Sequence, residues 1–300
     1  MKYQECFYKG KSTLMEAGIH EAALDTRLLL EHVCGTNRND LLVHGDREVT
    51  TDQENVYFDC ISRRAKRIPL QHIIGSQNFM GLDFQVNEHV LIPRQDTEIL
   101  VEEVLRQMTD GMRILDMCTG SGCILISLLH YSNGCRGVGV DISPEALEIA
   151  EKNAAGLLQR YANRKNASEL QEEAVSSDVR GTYAFMQSDL FETVKGKYDI
   201  IVSNPPYIRS DVIETLMPEV RVHEPRQALD GRADGLYFYR RIVEESREHL
   251  VSGGLLYFEI GHDQAEEVRE LMLAAGYGDI QVVKDYAGLD RVVYGRCTAI

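Results

Sequence analysis

A proline-rich turn carries the residue types best suited to chemistry. Asn204, Pro205, Pro206 and Tyr207 follow directly on the apolar run 198–203. Each proline fixes its own φ at about −65° and restricts the residue before it, so the turn has little conformational freedom. Because neither proline has an N–H, the turn offers the Asn204 side-chain oxygen and the Pro205 carbonyl oxygen as acceptors, with Tyr207 available to pack on a flat π-system. This combination would hold the NH2 group of an amide or a nucleobase, although the four residues alone also fit an ordinary proline-rich loop.

A second segment reads as a strand, a glycine turn and the start of a helix. The apolar run 113–117 is followed by Gly120 and Gly122, and then by another apolar stretch. Asp141 lies twenty-one residues after Gly120, at the end of the next apolar run 137–140. That is close to the spacing at which an acidic side chain binds ribose hydroxyls in a βαβ nucleotide-binding unit. The segment indicates a cofactor that contains adenosine, with a purely structural tight turn as the alternative.

The glycine loop does not match the dinucleotide fingerprint, because Leu125 stands where Gly-x-Gly-x-x-Gly needs its third glycine. The remaining pattern runs from Asp116 through Cys118 and Gly120 to Gly122, in alternate positions. It resembles the loop of class I S-adenosylmethionine-dependent methyltransferases, in which glycines let the backbone approach the methionine part of the cofactor. Cys118 stands where that family has glycine. Since a left-handed backbone costs a residue with a Cβ about 1–2 kcal/mol, we expect Cys118 to adopt an ordinary backbone conformation.

The two motifs together resemble the HemK/PrmC family of release-factor glutamine methyltransferases, which methylate the glutamine amide of class-1 peptide release factors. The resemblance covers most of the chain and includes further segments in family order: 69–75, 79–84, 90–98, 224–229, 234–236 and 288–293. Asn-Pro-Pro-Tyr is shared with adenine-N6 methyltransferases, but the whole combination is specific. The chain departs from the family at Gln95, Cys118 and Arg232, and in extra sequence around 157–182.

The resemblance implies S-adenosyl-L-methionine as the cofactor and assigns it a set of binding residues: Cys118, Thr119, Gly120, Ser121, Gly122, Asp141, Asp189, Leu190 and Asn204. The glycine loop would wrap the methionine and ribose, Asp141 would bind the ribose hydroxyls, and Asp189 and Leu190 would flank the adenine. Asp189 also fits a plain helix cap. Thr97 and Glu98 resemble the segment that leads into the cofactor site, and they fit the acid-rich first turn of a helix equally well.

The resemblance also implies that the four residues of the turn are catalytic. A glutamine amide nitrogen is a poor nucleophile because its lone pair is delocalised into the carbonyl group. If the Asn204 side-chain oxygen and the Pro205 carbonyl hold its two N–H bonds, the nitrogen is oriented for attack on the methyl group, and we expect this pre-organisation to be the main catalytic effect. Tyr207 would pack on the amide plane. The sequence does not single out a general base.

Composition narrows the class of partner. The 300 residues suggest two domains, and 44% apolar content suffices for a sizeable core. The formal net charge of −15 argues against a polyanionic partner, since affinity for nucleic acids comes largely from Lys and Arg. We therefore expect no direct contact with nucleic acid, and the resemblance implies class-1 release factors as partners. An adenine-N6 nucleic-acid methyltransferase is the alternative, and a cofactor-binding regulatory protein without activity, at which Cys118 hints, is the third hypothesis.

Several further expectations concern the setting of the protein. The seven cysteines form no Cys-x-x-Cys pair, and this odd number fits a reducing compartment. The histidines show no metal-binding spacing, so no metal site is expected. The N-terminus lacks the apolar core of a signal peptide, and no run approaches the length of a membrane helix. The sequence predicts a cytoplasmic monomer.

The elements that must position these motifs can be predicted from hydrophobic periodicity. One helical segment is predicted over 11–34 and stops at Gly35, and a second over 51–67 has a capping box beginning at Thr51. The basic cluster 62–67 is interpreted as a solvated helix face, with contact to an acidic partner as the alternative. A hairpin that connects the two domains is expected within 79–92, around the turn residues Met80-Gly81 and Asn87-Glu88.

From about residue 96 strands and helices alternate. Strands are predicted over 113–117, 137–141, 183–187, 198–203, 254–260, 281–284 and 291–296. One of the helices between them should be capped by Ser143 with Pro144 in its first turn. We therefore predict an α/β doubly wound sheet over 96–300. The resemblance implies that this part is a Rossmann-like methyltransferase domain with a mostly parallel seven-stranded sheet. With that reading, a helical substrate-docking domain over 1–78 would precede it, joined by a hairpin linker over 79–95.

Overall fold

The computed structural model describes residues 1–163 and 181–298, so most of the segment 157–182 lies outside the described residues. The chain divides into two compact units: Met1–Ser76 with Met217–His223, and Gln77–Leu216 with Glu224–Ile300. The domain boundaries at 78 and 95 stay a prediction.

The first unit is helical. Its helices span Tyr3–Glu16, Ala22–Cys34, Arg38–Val43, Thr51–Ala65, Leu70–Ile74 and Pro218–His223. The prediction of one helix over 11–34 was wrong, because the chain turns at Gly18, whose φ is 71°, and starts a new helix at Ala22. Residues on both sides of the turn, including Leu14 and Leu29, pack into the same core, which is why the apolar spacing continued across the break.

Two predicted helix-boundary signals, a glycine at a C-terminus and a capping box at an N-terminus, are present in the structure. Gly35 ends its helix with a left-handed φ of 61°. The capping box exists, but it begins one residue earlier than predicted: the Thr50 side chain accepts from the Gln53 N–H, and the Gln53 side chain accepts from the Thr50 N–H.

The interpretation of 62–67 as a solvated face was wrong for its central residue. Arg64 is buried and donates to Asp25 at 2.7 Å and to Glu219 at 3.1 Å. Arg67 shares Glu219 at 3.0 Å. Carboxylates distant in sequence therefore neutralise these two cations inside the first unit.

The second unit contains a large sheet. The strands of the chain are β1 Ser76–Phe79, β2 Leu82–Gln85, β3 Arg113–Met117, β4 Arg136–Asp141, β5 Ala162–Asn163, β6 Thr182–Gln187, β7 Tyr198–Ser203, β8 Leu250–Glu259, β9 Tyr277–Lys284 and β10 Asp290–Cys297. β1 and β2 form a hairpin around the predicted turn at Met80 and Gly81, but its strands lie within 76–85 rather than 79–92. The other described strands have the order β5-β6-β4-β3-β7-β8-β10-β9. Within this larger sheet, all pairs are parallel except those of β10 with β8 and β9. The predicted sheet is thus confirmed, with the two-residue β5 added at one edge.

Helices cover both faces of this sheet. The helices described in the second unit span Gln95–Gln107, Cys123–His130, Pro144–Leu157, Ser210–Ile213, Arg226–Leu229, Tyr237–Ser246 and Ala265–Ala274, and the two four-residue helices are not among those that cover the sheet. Neighbouring strand residues point to opposite cores: Ile114 packs with the helix residues Leu100 and Leu125, whereas Leu115 packs with Tyr239 and others on the opposite face. This arrangement explains why the strands are continuously apolar rather than alternating. Ser143 caps its helix by accepting from the Ala146 N–H, as predicted.

The register aligns the strand ends that carry the motifs. Met117 at the end of β3 pairs with Val140 of β4 on one side and with Ser203 of β7 on the other. The chain runs from β3 to β4 in one direction and later returns to β7 on the opposite side, so the order reverses at β3. In open α/β sheets, ligands bind at the carboxyl ends of strands beside such a reversal.

Among the described residues, the structure has no helix that combines the length and apolar character needed to span a membrane.

Candidate active site

A cleft of about 470 Å³ opens at the carboxyl ends of β3, β4 and β7. The predicted site residues that line it are Cys118, Thr119, Gly120, Ser121, Asp141, Asp189, Leu190, Asn204 and Pro206. Gly122, Pro205 and Tyr207 adjoin these residues in sequence but do not line the cleft. The fold therefore brings the glycine loop, the acidic strand end and the proline turn together at one site.

Asp141 fixes the glycine loop. Its carboxylate accepts from the Gly120 N–H at 2.9 Å and from the Ser143 N–H at 3.0 Å. Burial raises its pKa, and the two amides oppose that shift. Gly120 has a φ of 54°, and a Cβ there would meet no atom within 4 Å, so the loop backbone is open on that side. Gly122 is the N-cap of the following helix, and a Cβ there would lie 2.8 Å from Ile126 Cδ1.

The expectation that Cys118 has an ordinary backbone conformation was wrong. Its φ is 62°, in the left-handed region. The strain is maintained by the surrounding loop, since the Thr119 N–H donates to the Val140 carbonyl at 2.9 Å and the Gly122 N–H donates to the Thr119 carbonyl at 2.8 Å. Burial raises the pKa of the Cys118 thiol, so it stays protonated. Leu190, on the other wall of the cleft, also has a positive φ, of 48°.

The strain at Cys118 can be measured with a pair of substitutions. Cys118→Ala keeps the Cβ, whereas Cys118→Gly removes it. We expect the glycine variant to have the larger free energy of unfolding, by about 1 kcal/mol, because glycine adopts positive φ without the Cβ penalty. Denaturant unfolding of the two variants checks this. If the alanine variant were the more stable one, the loop would not be strained in solution.

Asp116 supports the loop from inside the protein. It is completely buried and accepts from the Thr119 hydroxyl at 2.6 Å and from the Leu125 N–H at 3.3 Å. Burial raises its pKa to about 7, opposed by these two donors. Sequence reasoning identified this residue only as the start of the motif, and its role is to hold the turn rather than to face the cleft.

This pKa predicts a pH dependence of stability. Because the folded protein binds the Asp116 proton more tightly than the unfolded chain, the stabilisation is fully present below pH 4 or so and is lost as the pH rises to about 7. The neutral variant Asp116→Asn lacks this contribution. We expect the wild-type free energy of unfolding to fall relative to the variant across that range, by at most on the order of 4 kcal/mol. Urea unfolding at several pH values measures the difference, and a difference independent of pH would contradict the shift.

The proline turn presents Asn204 to the cleft. The Asn204 side chain donates from Nδ2 to the Thr97 hydroxyl at 3.4 Å, which leaves its oxygen free to accept. The Tyr207 hydroxyl points away from the cleft and donates to the Glu259 carboxylate at 3.3 Å. Pro205 is buried. Asn204 and Pro206 thus form the cleft wall, while Tyr207 anchors the turn to the interior.

Close backbone contacts hold the turn from its other side. A Cβ at Gly235 would lie 2.4 Å from the Tyr207 carbonyl oxygen, and one at Gly231 would lie 2.7 Å from the Tyr207 Cα. Gln264 donates from Nε2 to the Tyr207 carbonyl at 3.2 Å and to the Gly235 carbonyl at 3.3 Å. Both glycines are therefore required for close packing against the turn.

Charged side chains surround the cleft in pairs. Arg94 donates to the buried Glu224, and burial raises the pKa of Glu224 while Arg94 opposes the shift. The Asp189 carboxylate accepts from Arg241 at 2.8 Å. Its side chain therefore forms an ion pair rather than a helix cap. Glu98 accepts from the Met80 N–H at 2.7 Å and so fixes the hairpin turn.

Four supporting residues were not assigned a role from the sequence: Arg94, Glu224, Glu259 and Gln264. The first two lie in segments that carry the family resemblance, and their complementary charges were a usable signal. Glu259 is the last residue of an apolar strand, which is the same signal that identified Asp141. Nothing in the sequence near Gln264 indicates its contact with the turn.

Comparisons with known proteins support the resemblance. Residues 5–75 match the family model "PrmC N-terminal domain", and residues 137–252 match the model "Eco57I restriction-modification methylase". The chain is 40% identical to a release factor glutamine methyltransferase of Caulobacter vibrioides, over 95% of this chain and 93% of that protein. It is 41% identical to one of Geobacter sulfurreducens, over 94% and 92% of the two chains.

Solved structures share the fold. A methyltransferase from Pyrococcus furiosus superimposes with a TM-score of 0.51 at 17% identity, covering 79% of this chain and all of that chain. The hMettl16 catalytic domain superimposes with a TM-score of 0.53 at 14% identity, covering 83% of each chain. These likenesses concern the fold alone. The near-complete coverage of the curated relatives at this level of identity shows that the chain belongs to the release factor glutamine methyltransferase family.

Proposed function

We propose that this chain methylates the side-chain amide nitrogen of the glutamine in the Gly-Gly-Gln motif of class-1 peptide release factors. The observation that carries the proposal is the position of Asn204, which lines the same cleft as the glycine loop and Asp141. An acceptor for an NH2 group and a site suited to an adenosine-bearing cofactor are thereby adjacent. Relatives that this chain matches over more than nine-tenths of their length bear the name of this activity.

S-adenosyl-L-methionine is the proposed cofactor, and the cleft fits it. Asp141 ends a strand at the spacing suited to ribose hydroxyls, and the open side of Gly120 leaves room for a ligand against the loop backbone. Leu190 and Ile142 add apolar walls suited to a purine. When bound, the cofactor supplies an electrophilic methyl group. Asp189 is held by Arg241, so we assign it to the wall of the cleft beside Leu190.

The residues of this chain would act by orienting the substrate amide. Asn204 Oδ1 accepts an N–H of the substrate amide and fixes the direction of the nitrogen lone pair. The rigid prolines and the anchored Tyr207 prevent the acceptor from adjusting its position, so little reorganisation is needed during reaction. The Pro205 carbonyl stays a proposed second acceptor, and Tyr207 acts as a positioning residue in this arrangement.

The helical first unit is proposed as the docking module for the release factor. Residues 5–75 match the N-terminal domain model of the family, and this segment contributes no residue to the cleft lining. We infer a cytoplasmic location, because the proposed substrate is a translation factor. The proposed reaction requires only one copy of the chain.

An adenine-N6 nucleic-acid methyltransferase is the second candidate, since the match to the "Eco57I restriction-modification methylase" model includes the proline turn. That match covers 137–252 only, whereas the release factor glutamine methyltransferases match nearly the whole chain. The net charge of −15 also opposes binding to a polyanion.

Transfer of labelled methyl groups from S-adenosylmethionine would test the proposal. Three substrates are compared: a purified class-1 release factor, its variant with alanine in place of the glutamine of Gly-Gly-Gln, and duplex DNA. We expect label on the first alone. Label on DNA would move the activity to adenine methylation, and label on the alanine variant would place the methyl group elsewhere on the factor.

A further inference from the structure

A buried carboxyl group lies beneath the proline turn and takes part in no step described so far. Glu259 ends β8 and is 2% exposed. Its Oε1 accepts from the Tyr207 hydroxyl at 3.3 Å, and its Oε2 has no hydrogen bond of standard geometry within the described residues. Burial raises the pKa of Glu259, and the neighbouring Thr97 hydroxyl, Arg291 and Tyr207 oppose the shift. Two hydroxyl groups adjoin this carboxyl group: the Tyr207 hydroxyl, which donates to Oε1, and the Thr97 hydroxyl, which can also donate to it.

Thr97 also contacts the candidate catalytic residue. It is 2% exposed, in the first turn of the helix Gln95–Gln107, and its hydroxyl accepts from Asn204 Nδ2. A threonine hydroxyl has a single proton to donate. If that proton is committed to Glu259, the hydroxyl can only accept from Asn204, and the Asn204 amide must present its NH2 to Thr97.

The direction of the Asn204 amide decides what the cleft can bind. An amide has a donor end and an acceptor end of nearly equal shape, and only its hydrogen-bond partners distinguish the two orientations. With Nδ2 turned to Thr97, Oδ1 faces the cleft and accepts an N–H. With the reverse orientation the cleft would present a donor, which repels the NH2 of a glutamine amide.

We propose that Thr97, held by Glu259, is a positioning residue that fixes the Asn204 amide with its oxygen toward the substrate. This inference rests on the proposed function in one respect, that Asn204 binds a substrate NH2 group. In this arrangement Asn204 donates to Thr97, and Thr97 donates to Glu259. A proton donor placed at residue 259 would reverse the direction of both hydrogen bonds.

The variants follow from this order. Thr97→Val keeps the shape of the side chain and removes the hydroxyl, whereas Thr97→Ser keeps the hydroxyl. Glu259→Gln puts a donor where the carboxylate stood and lets Thr97 donate to Asn204. We expect Thr97→Val and Glu259→Gln to lower kcat by about 10–100-fold with the Kd for S-adenosylmethionine unchanged, and Thr97→Ser to retain most of the activity.

A double-mutant cycle separates positioning from structural damage. Thr97→Val is measured in the wild-type protein and in the Asn204→Ala variant, on whichever substrate the wild-type protein methylates. If Thr97 acts through Asn204, its removal has no further effect once Asn204 is gone. Damage to the fold or to the cofactor loop would instead lower the residual activity of Asn204→Ala by the same factor, which would overturn the inference.

The outcomes also separate this inference from the proposed function. A wild-type protein that labels DNA and not the release factor defeats the proposed function, while the cycle still reports on Asn204, because an adenine NH2 requires the same acceptor. A wild-type protein that labels the release factor, together with full activity of Thr97→Val, defeats this inference alone.

Discussion

Replacing Asn204 by alanine is expected to lower turnover by about 10²–10³-fold, the usual cost of losing one pre-organised polar group that contacts the reacting atoms. The side chain lines the cleft, and its oxygen is the acceptor that orients the substrate nitrogen. Cofactor binding should be largely retained, because the glycine loop and Asp141 hold each other through their own hydrogen bonds. Steady-state kinetics with a release factor and titration with S-adenosylmethionine measure the two effects.

The neighbouring Pro206 offers a control for this prediction. Pro206 lines the cleft but has no donor and no side-chain acceptor, so Pro206→Ala tests the shape of the turn without removing the acceptor. We expect a smaller loss of turnover than in Asn204→Ala. Near-wild-type turnover of Asn204→Ala would remove this residue from the mechanism.

Gly235→Ala is expected to damage both stability and turnover, although residue 235 does not line the cleft. The added Cβ would lie 2.4 Å from the Tyr207 carbonyl and 2.7 Å from Gln264 Nε2, at a φ of 76°. The strained backbone and the overpacking together should lower the free energy of unfolding by about 2–4 kcal/mol. A displaced Tyr207 also moves the turn, and a shift near 1 Å at a reacting group costs about 10²-fold in rate.

Gly111→Ala is the matched control. Residue 111 has a similar φ, of 83°, and its Cβ would meet no atom within 4 Å. It should therefore lose only about 1 kcal/mol of stability, from the left-handed backbone, and keep its turnover. Chemical denaturation and steady-state rates are compared for both variants. Equal losses in the two would show that the contact with Tyr207 is not what makes glycine necessary at 235.

Local patterns predicted much of this fold because the local and tertiary requirements agree. The strands β3, β4 and β7 are apolar on both faces since helices cover both, and runs of this kind are visible in the sequence. The break near Gly18 was missed because both flanking helices bury residues in one core. The same periodicity therefore fitted one helix or two.

The sequence predicted those residues of the candidate site whose positions follow from the local sequence pattern. Asn204 and Asp141 follow apolar strands, and the parallel register brings such strand ends together. The supporting contacts could not be predicted in this way, because they join residues far apart in the chain, such as Thr97 with Asn204 and Tyr207 with Glu259. The positive φ of Cys118 was also hidden, since its residue type argued for the opposite.

The position of the transferred methyl group tests the central claim most directly. A release factor is incubated with the protein and S-adenosylmethionine, and the peptide that contains Gly-Gly-Gln is fragmented in a mass spectrometer. The account predicts one methyl group on the side-chain nitrogen of that glutamine, absent when Asn204→Ala replaces the wild-type protein for the same brief incubation. A methyl group on any other residue of the factor, with that glutamine unmodified, would contradict it.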